Sequence, residues 1–267
     1  MAYLGPDGSF SFEAANIFRR HFGQVSVNMT PMKSATQIFD AMNRDEVDFA
    51  VVALENTVEG FVGETTDLLL KYDTVQIFDM LWLPVRFDAV QLQPGTPKTI
   101  SAHPHALKQC RNFIESEQVI EVPALSNSAA ATNLSGTDLA LVPHGTHYFG
   151  HLNVYKELVQ DYDNAATQFM LLFNASRADL FLPDLRSEHN LWVVIPDTER
   201  QGCLFEILAV INERRINITT LYSRPIKGME NIYSFYLTLD CTKAESDECM
   251  REVSELGVKT VFLGGWS

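Results

Sequence analysis

The sequence has few of the features that mark membrane, secreted or nucleic-acid-binding proteins. It contains no stretch of about 18 apolar residues, which argues against a transmembrane helix. The opening segment, Met1–Phe10, has neither a basic part nor an apolar run, so we expect no signal peptide and a cytoplasmic location. Basic residues are scarce, since 20 Lys and Arg stand against 34 Asp and Glu, for a net charge of −14. Nucleic acid and anionic membrane surfaces are therefore not expected partners, because phosphate groups bind to basic patches.

Cysteine is scarce as well. The four cysteines contain no C-x-x-C pair; they are Cys110, Cys203, Cys241 and Cys249. This spacing argues against a zinc site or a disulfide framework and favours buried, small apolar side chains. The chain does have 46% hydrophobic and 20% charged residues, which is typical of a globular protein with a core. Its 267 residues suffice for one large and one small domain, or for two medium ones.

Short apolar runs alternate with helix-periodic segments over residues 1–175. This order predicts an α/β fold with a mostly parallel sheet. A β-rich stretch, Val75–Leu92, leads to a turn and a second alternating series, which predicts a second lobe and a ligand cleft between the lobes. The other predicted strands are Ala2–Leu4, Val25–Met29, Phe49–Leu54, Thr99–Ser101, Val119–Val122, Asp138–Val142 and Gln168–Phe173, and the predicted helices are Ser11–Phe22, Ala35–Arg44, Phe61–Tyr72, Pro104–Ser116 and Ser128–Leu134.

The order of elements changes after a segment of broken periodicity, residues 174–189. The following pattern, βαββαβ, is that of a ferredoxin-like module of about 75 residues. We therefore expect a two-lobed domain over residues 1–178, with its second lobe at about 80–150, a linker at 179–188 and the module at 189–267. Its predicted elements are Asn190–Pro196, Gly202–Arg214, Asn217–Pro225, Asn231–Leu239, Lys243–Leu256 and Val258–Leu263, with a hairpin at 227–231.

Two polar loops follow predicted strands of the first lobe. Gly5–Ser11 leads into a helix, where backbone N–H groups can bind a carboxylate; the alternative is a tight turn with Ser9 or Ser11 as N-cap. Leu54–Gly60 carries two acids, an amide and a hydroxyl, which can orient a substrate; the alternative is a polar loop that caps the next helix.

Histidines occur in two groups. His103 and His105 open a helix, and we expect one to face a cleft and the other to be solvated, because no acid with metal-ligand spacing lies nearby. A second group has the i, i+3, i+7 spacing of one helix face: His144, His147 and His151. Gly145 and Gly150 argue against a regular helix there, so three solvated histidines are expected rather than a metal site.

These segments, in this order, resemble the prephenate dehydratase family over essentially the whole chain. Gly5–Ser11 fits the family's G-P-x-G-S/T-F/Y-S/T motif, and Glu55–Gly60 fits E-N-S/T-x-x-G. Ala102–His105 with Gln109-Cys110 matches S-H-P-Q…Q-C in part, and Thr167–Phe169 matches T-R-F in part. In the C-terminal module, Gly202-Cys203-Leu204 stands where an ACT domain has G-A-L, and Ile216–Pro225 resembles I-N-L/I-T…E-S-R-P.

The resemblance implies a fold and a reaction. The fold is a two-lobed domain of the type 2 periplasmic-binding-protein kind, followed by an ACT domain. The reaction is that of a carbon–oxygen lyase in phenylalanine biosynthesis, which turns prephenate into phenylpyruvate with loss of CO2 and water. Aromatisation drives this reaction, so we expect neither a metal nor another cofactor.

The resemblance also implies roles for residues. Thr167 would assist departure of the hydroxyl group, and Asn56 and Gln109 would orient the substrate. Further substrate contacts are expected from Ser11, Thr57, His105, Gln168 and Phe169. L-Phenylalanine would be the effector, bound between the ACT domains of a homodimer or homotetramer by Gly202, Cys203, Leu204, Asn217, Ile218 and Thr219.

Several positions depart from the family motifs. Gln168 replaces the T-R-F arginine, and losing such a charged contact costs about 1.5–3 kcal/mol of binding. The other departures are Ala102, His105, Cys203 and Tyr222. We hypothesise that His105 or Arg86 supplies the lost polarity. Three alternatives stay open: a dehydratase acting on arogenate, a prephenate decarboxylase that does not aromatise, and a ligand sensor without turnover.

Overall fold

Strands and helices alternate along most of the chain, as the apolar periodicity predicts. The computed structural model describes residues 1–23, 25–145, 150–177, 187–198, 200–226, 228–229 and 231–267. The strands are β1 (Ala2–Leu4), β2 (Thr30–Met32), β3 (Phe49–Asn56), β4 (Gly60–Phe61), β5 (Val75–Pro84), β6 (Phe87–Gln91), β7 (Thr99–Ala102), β8 (Ile120–Pro123), β9 (Leu139–Pro143), β10 (Asn153–Lys156), β11 (Ala166–Asn174), β12 (His189–Pro196), β13 (Asn217–Pro225), β14 (Tyr233–Asp240) and β15 (Val258–Trp266).

Helices connect most of these strands. They are α1 (Phe10–Arg19), α2 (Ala35–Asn43), α3 (Gly63–Lys71), α4 (Pro104–Gln109), α5 (Arg111–Glu117), α6 (Asn127–Thr132), α7 (Cys203–Glu213) and α8 (Lys243–Glu255). Short 3-10 turns lie at Arg20–Phe22 and Ala175–Arg177. Within the described ranges, no helix combines the length and the apolar character that crossing a bilayer requires.

The chain forms two compact units. The first comprises Met1–Ala41, Phe49–Thr66 and Leu81–Met170, and the second comprises Met42–Asp48, Asp67–Met80 and Leu171–Ser267. The second unit thus contains the expected C-terminal module together with earlier segments of the chain.

The first lobe of the first unit is built on parallel strands. Strand β1 pairs in parallel with β2 and β3, and β11 lies on the other side of β3. The strand predicted at Val25–Met29 is wrong: the paired residues are Thr30–Met32, opposite β1. Val25 is 68% exposed, so this apolar run is not buried in a sheet.

The second lobe has its own sheet, in the order β10-β6-β9-β7-β8. Strand β7 is parallel to β8 and β9, whereas β6 is antiparallel to β9 and β10. The single helix predicted over Pro104–Ser116 is wrong, since α4 and α5 are separated at Cys110, whose φ and ψ are −124° and 27°. The Asp161 carboxylate accepts hydrogen bonds from the backbone N–H groups of Arg111 and Asn112, at 3.0 and 3.1 Å, and so caps a new helix there.

The C-terminal part of the second unit has the predicted βαββαβ order. Its strands run β13-β14-β12-β15, and each neighbouring pair is antiparallel, which is the ferredoxin-like arrangement. Helices α7 and α8 bury their apolar faces against this sheet around Ile207, Cys249 and Val253. Strand β5 adjoins β15, where Ile77 is the partner of Gly264. Residues 179–186 of the predicted linker, with residue 178 before it, and residues 227 and 230 of the predicted hairpin lie outside the described part of the chain.

Candidate active site

The polar loop after β1 leads directly into α1. Ser9 is the N-cap, and its hydroxyl accepts a hydrogen bond from the backbone N–H of Phe12 at 3.2 Å. Ser11 is the second residue of the helix, so the capping role falls to Ser9. The loop reaches the second lobe, because the Ser128 hydroxyl of α6 donates to the carbonyl of Asp7 at 3.0 Å.

A cavity of about 520 Å3 lies beside this loop. Its lining does not include the predicted substrate-binding residues; it consists of Pro6, Asp7, Pro31, Ser128, Ala129, Thr132 and Asn133.

Asn56 and Thr167 are brought together from distant parts of the sequence. The Asn56 side-chain NH2 donates to Thr167 Oγ1 at 2.8 Å. The side-chain oxygen of Asn56, Oδ1, accepts from the backbone N–H groups of Val58 and Glu59, at 2.9 and 3.2 Å, which fixes the orientation of the amide. Because Thr167 Oγ1 accepts from Asn56, its own proton is available for donation to another group.

Thr57 fastens the same loop to β11. Its backbone N–H donates to the carbonyl of Ala166 at 2.9 Å, and its hydroxyl accepts from the backbone N–H of Ala166 at 3.0 Å. These two hydrogen bonds to Ala166, the residue before Thr167, fix the distance between the loop and Thr167. Thr57 therefore acts on the site through the backbone.

Gln168 does not share a face with Thr167. Along β11, Thr167 and Phe169 are buried and Gln168 is half-buried, and alternate residues of a strand point to opposite faces. The position at which the family has arginine is thus adjacent to Thr167 in sequence but directed away from it.

His103 and His105 follow β7 and stack on one another, with ring centroids 4.9 Å apart and an interplanar angle of 17°. His105 Nδ1 pairs with the carboxylate of Glu59, so the side chain after β7 contacts the loop that carries Asn56. Burial lowers the pKa of His103, the charge of His105 lowers it further, and Glu59 opposes both effects. His103 is therefore favoured in its neutral form, whereas His105 has an acidic partner.

Gln109 is buried, with 5% of its surface exposed, at the end of α4. Within the described part of the chain, its side-chain oxygen has no hydrogen-bond partner. Leaving such a group unsatisfied costs about 1–3 kcal/mol, so this oxygen is suited to accept a hydrogen bond from a ligand. The predicted substrate-orienting role of Gln109 is compatible with this environment.

Asp88 and His144 form a pair that sequence reasoning did not find. His144 Nδ1 lies 2.8 and 3.0 Å from the two oxygens of Asp88, which also accept from the backbone N–H groups of Leu158 and Gly145 at 3.0 and 3.3 Å. His144 is exposed, as expected, but its ring is paired with Asp88. His151 is exposed, and His147 lies outside the described residues. One signal was available, since an acid inside an apolar strand such as Asp88 requires a partner.

Burial affects two acids of the first unit. Burial raises the pKa of Glu55, and it also raises the pKa of Glu13, which the charge of His144 lowers in part.

In the C-terminal module, burial raises the pKa of Cys241 and Cys249 to about 11, so both are neutral thiols at neutral pH. Three of the cysteines are buried and Cys241 is half-buried, which agrees with their predicted packing role. Among the described residues, no group of three or more His, Cys, Asp or Glu side chains is placed to hold a metal ion.

The residues predicted to bind an effector occupy two places in the module. Gly202, with φ +82°, begins α7 and lines a pocket of about 220 Å3 together with Cys203 and Leu204. Asn217, Ile218 and Thr219 lie on β13, an end strand of the sheet order, and are absent from that lining. In a single chain, residues 202–204 therefore line one pocket, and residues 217–219 are not part of it.

Arg224 belongs to the predicted S-R-P segment of the same strand. Its guanidinium donates to both carboxylate oxygens of Asp67, at 2.7 and 2.9 Å. This bidentate pair, which raises the pKa of Arg224, fastens β13 to α3 within the second unit. Arg224 thus has a structural partner.

Comparisons with known proteins agree with the motif resemblance. Residues 1–177 match the family model described as prephenate dehydratase. The prephenate dehydratase of Amycolatopsis methanolica is 30% identical over 251 residues, which are 92% of this chain and 80% of that protein. A structure of prephenate dehydratase from Arthrobacter aurescens in complex with L-Phe is 27% identical with a TM-score of 0.81, covering 100% of this chain and 89% of that one. The prephenate dehydratase of Staphylococcus aureus shares the fold, with a TM-score of 0.84, 20% identity, and coverage of 100% of this chain and 99% of that one.

Proposed function

We propose that this chain, which belongs to the prephenate dehydratase family, converts prephenate into phenylpyruvate, CO2 and water. The observation that carries the proposal is the hydrogen bond from Asn56 to Thr167. It joins two family motifs that are far apart in sequence and gives the threonine hydroxyl a defined direction.

The reaction needs a proton at the departing oxygen. The bond between the ring and its carboxylate breaks, its electron pair enters the ring, and the C4–oxygen bond breaks, so that one proton is consumed to form water. Thr167, which accepts from Asn56, donates a hydrogen bond to that oxygen and stabilises it as it leaves as hydroxide; the hydroxide takes its proton from solvent, and Thr167 keeps its own. Its burial keeps bulk water from competing for this hydrogen bond.

Other side chains bind and orient the substrate in this proposal. Gln109 offers an unsatisfied buried oxygen, and Phe169 shares the face of Thr167. Thr57 places the backbone next to Thr167, and Ser11 is a further proposed substrate contact. Gln168 lies on the other face of β11. His105 stands in place of the family's glutamine, and its pairing with Glu59 brings it to the loop that carries Asn56.

We further propose that L-phenylalanine regulates the enzyme by binding to its C-terminal module, which acts as an ACT domain. The Arthrobacter relative was solved in complex with L-Phe. In this chain the pocket at Gly202–Leu204 lies apart from Asn217–Thr219, so a second copy is needed for both sets to contact one ligand. We accordingly propose a homodimer or homotetramer.

The decisive experiment is incubation with prephenate, with arogenate in parallel, while formation of phenylpyruvate is followed. Thr167→Ala is expected to lower kcat by about 10²–10³-fold, because it removes one hydrogen-bond donor at the transition state. Thr167→Ser is the matched control, since it keeps the hydroxyl group and is expected to retain most of the activity.

The outcomes separate the alternatives. If only arogenate yields a product, the chain is an arogenate dehydratase. If prephenate yields a decarboxylated product that is not aromatic, the chain is a prephenate decarboxylase. Binding of prephenate without turnover indicates a sensor. Each of these results contradicts the proposal.

A further inference from the structure

The Asp88–His144 pair lies at the carboxyl ends of strands β7 and β9 of the second-lobe sheet, the end at which His103 also lies. Strands β7 and β9 are parallel, with Ser101 opposite Ala140, so their carboxyl ends point the same way. His103 follows β7 and His144 follows β9. In α/β proteins this edge is where ligands bind.

The backbone links this pair to the residues around Thr167. The N–H of His144 donates to the carbonyl of Arg86 at 2.9 Å, and the N–H of Val85 donates to the carbonyl of Ala165 at 2.7 Å. The segment Val85-Arg86 is thus hydrogen-bonded to His144 on one side and, through Ala165, to the start of the strand that carries Thr167 on the other. On the first-lobe side, Phe10 of α1 packs on Phe87 of β6, with ring centroids 5.4 Å apart.

Most of the loops that carry the predicted site residues lack basic residues. Residues 5–11, 54–60, 102–103, 124–126, 144–145 and 161–165 contain no Lys or Arg, but they contain five acids: Asp7, Glu55, Glu59, Asp161 and Asp163. The exposed Arg86 lies on the segment that holds the His144 backbone. A substrate with two carboxylates needs a cationic donor, and histidine is the residue type in these segments that can provide one. His105 already contacts Glu59, and burial favours neutral His103.

The His144 ring is held in a fixed direction. The Asp88 side chain is 7% exposed and accepts the Nδ1–H, so Nε2 is the ring nitrogen that can contact a ligand. A buried carboxylate in this position orients the imidazole. Among the described residues, Glu13 of α1 is a further charged group near the ring, and the carbonyl of the exposed Arg86 accepts from the His144 backbone N–H.

We propose that His144, oriented by Asp88, binds one carboxylate of a dicarboxylate substrate. The inference rests on the proposed function, because it assigns a contact with that reaction's substrate. In the absence of substrate, Glu13 is the acidic neighbour of the ring, and a substrate carboxylate takes its place. Asp88 is a positioning residue, since it acts through His144.

The test combines kinetics with binding measured by calorimetry. His144→Gln is expected to raise KM and the dissociation constant of prephenate about 10- to 100-fold with a smaller effect on kcat, because a charged contact is lost. His144→Lys is expected to restore affinity and to keep it constant as the pH is raised through the range in which imidazolium loses its proton. His151→Gln, at an exposed histidine, is the matched control.

One further variant separates this role from a merely structural one. Asp88→Asn removes the charge beside His144, and it is expected to raise KM and the dissociation constant of prephenate with a smaller effect on kcat.

Failure of the inference is distinguishable from failure of the proposed function. If the wild-type chain turns over prephenate and His144→Gln leaves both KM and affinity unchanged, the inference is overturned and the function stands. If the wild-type chain binds prephenate without turnover and His144→Gln abolishes binding, the inference stands and the function fails. A wild-type chain that does not bind prephenate overturns both.

Discussion

At the scale of single residues, the site depends on which atom of Asn56 faces Thr167. Two backbone N–H groups hold the Asn56 oxygen, so the amide presents its NH2 to the threonine. This arrangement makes the hydroxyl of Thr167 an acceptor toward Asn56 and leaves its own hydrogen for the proposed contact with the substrate. The direction of one proton therefore follows from the geometry of a short loop.

Asn56→Asp tests that direction. A carboxylate cannot donate, so it would accept the Thr167 proton and remove the donor from the reaction. We expect kcat to fall by about 10²-fold or more, measured by phenylpyruvate formation under saturating substrate. Asn112→Asp, at an exposed position of α5, serves as the control for the added charge. Unchanged kcat in Asn56→Asp would contradict the proposed direction.

The sequence allowed part of this site to be predicted. The motif residues Asn56, Thr167 and Gln109 could be proposed because each stands in a recognisable pattern, although their roles remain proposals. Asp88 and His144 could not be paired, since their contact depends on β6 and β9 being neighbours, which is a property of the folded sheet. The opposite orientations of Thr167 and Gln168 follow from strand alternation once β11 is known to include both.

At the scale of elements, the sequence predicted the types of most strands and helices and missed where some of them begin or break. The C-terminal module was predicted closely, because each of its elements has a clear period and a turn at its end. The missed break at Cys110 has its cause outside the helix, in the carboxylate of Asp161. A tertiary cap of this kind leaves no local pattern in the sequence.

Strand β15 contains a glycine that packing requires. Gly264 has φ +140°, and a Cβ atom there would lie 2.3 Å from the carbonyl oxygen of Ile77 in β5. Gly264→Ala is expected to lower the free energy of unfolding by about 3 kcal/mol, from overpacking together with backbone strain. Denaturant unfolding measures this change.

Gly257→Ala is the matched control for Gly264→Ala. Its φ is +78°, but a Cβ atom there would have no neighbour within 4 Å, so only backbone strain applies. A loss of about 1 kcal/mol is expected from strain alone. Equal losses in the two variants would mean that the contact with β5 contributes nothing.

At the scale of the whole molecule, the compact units do not follow the order of the chain. Residues 42–48 and 67–80 belong to the same unit as the C-terminal module. A sequence read in order suggests successive domains joined by a linker, and it cannot show that a strand near residue 77 adjoins one near residue 264. Such pairing appears only when the fold is known.

Regulation is also a property of the whole molecule. If L-phenylalanine binds to the folded protein, the apparent stability rises by about 2.7 kcal/mol at a ligand concentration of 100 times Kd. We expect thermal unfolding to show a higher Tm with L-phenylalanine, and sedimentation to show a dimer or tetramer. D-Phenylalanine is the control ligand. A monomer without any shift at millimolar L-phenylalanine would count against the proposed effector site.

The pairing of β5 with β15 has a consequence for dissecting the protein. A fragment of residues 187–267 would keep the four strands of the ferredoxin-like sheet but expose the edge of β15 that β5 covers in the intact chain. Unpaired strand edges are templates for association with other copies. The isolated module would therefore be prone to aggregate through this edge, and its solution behaviour would be a poor guide to that of the enzyme.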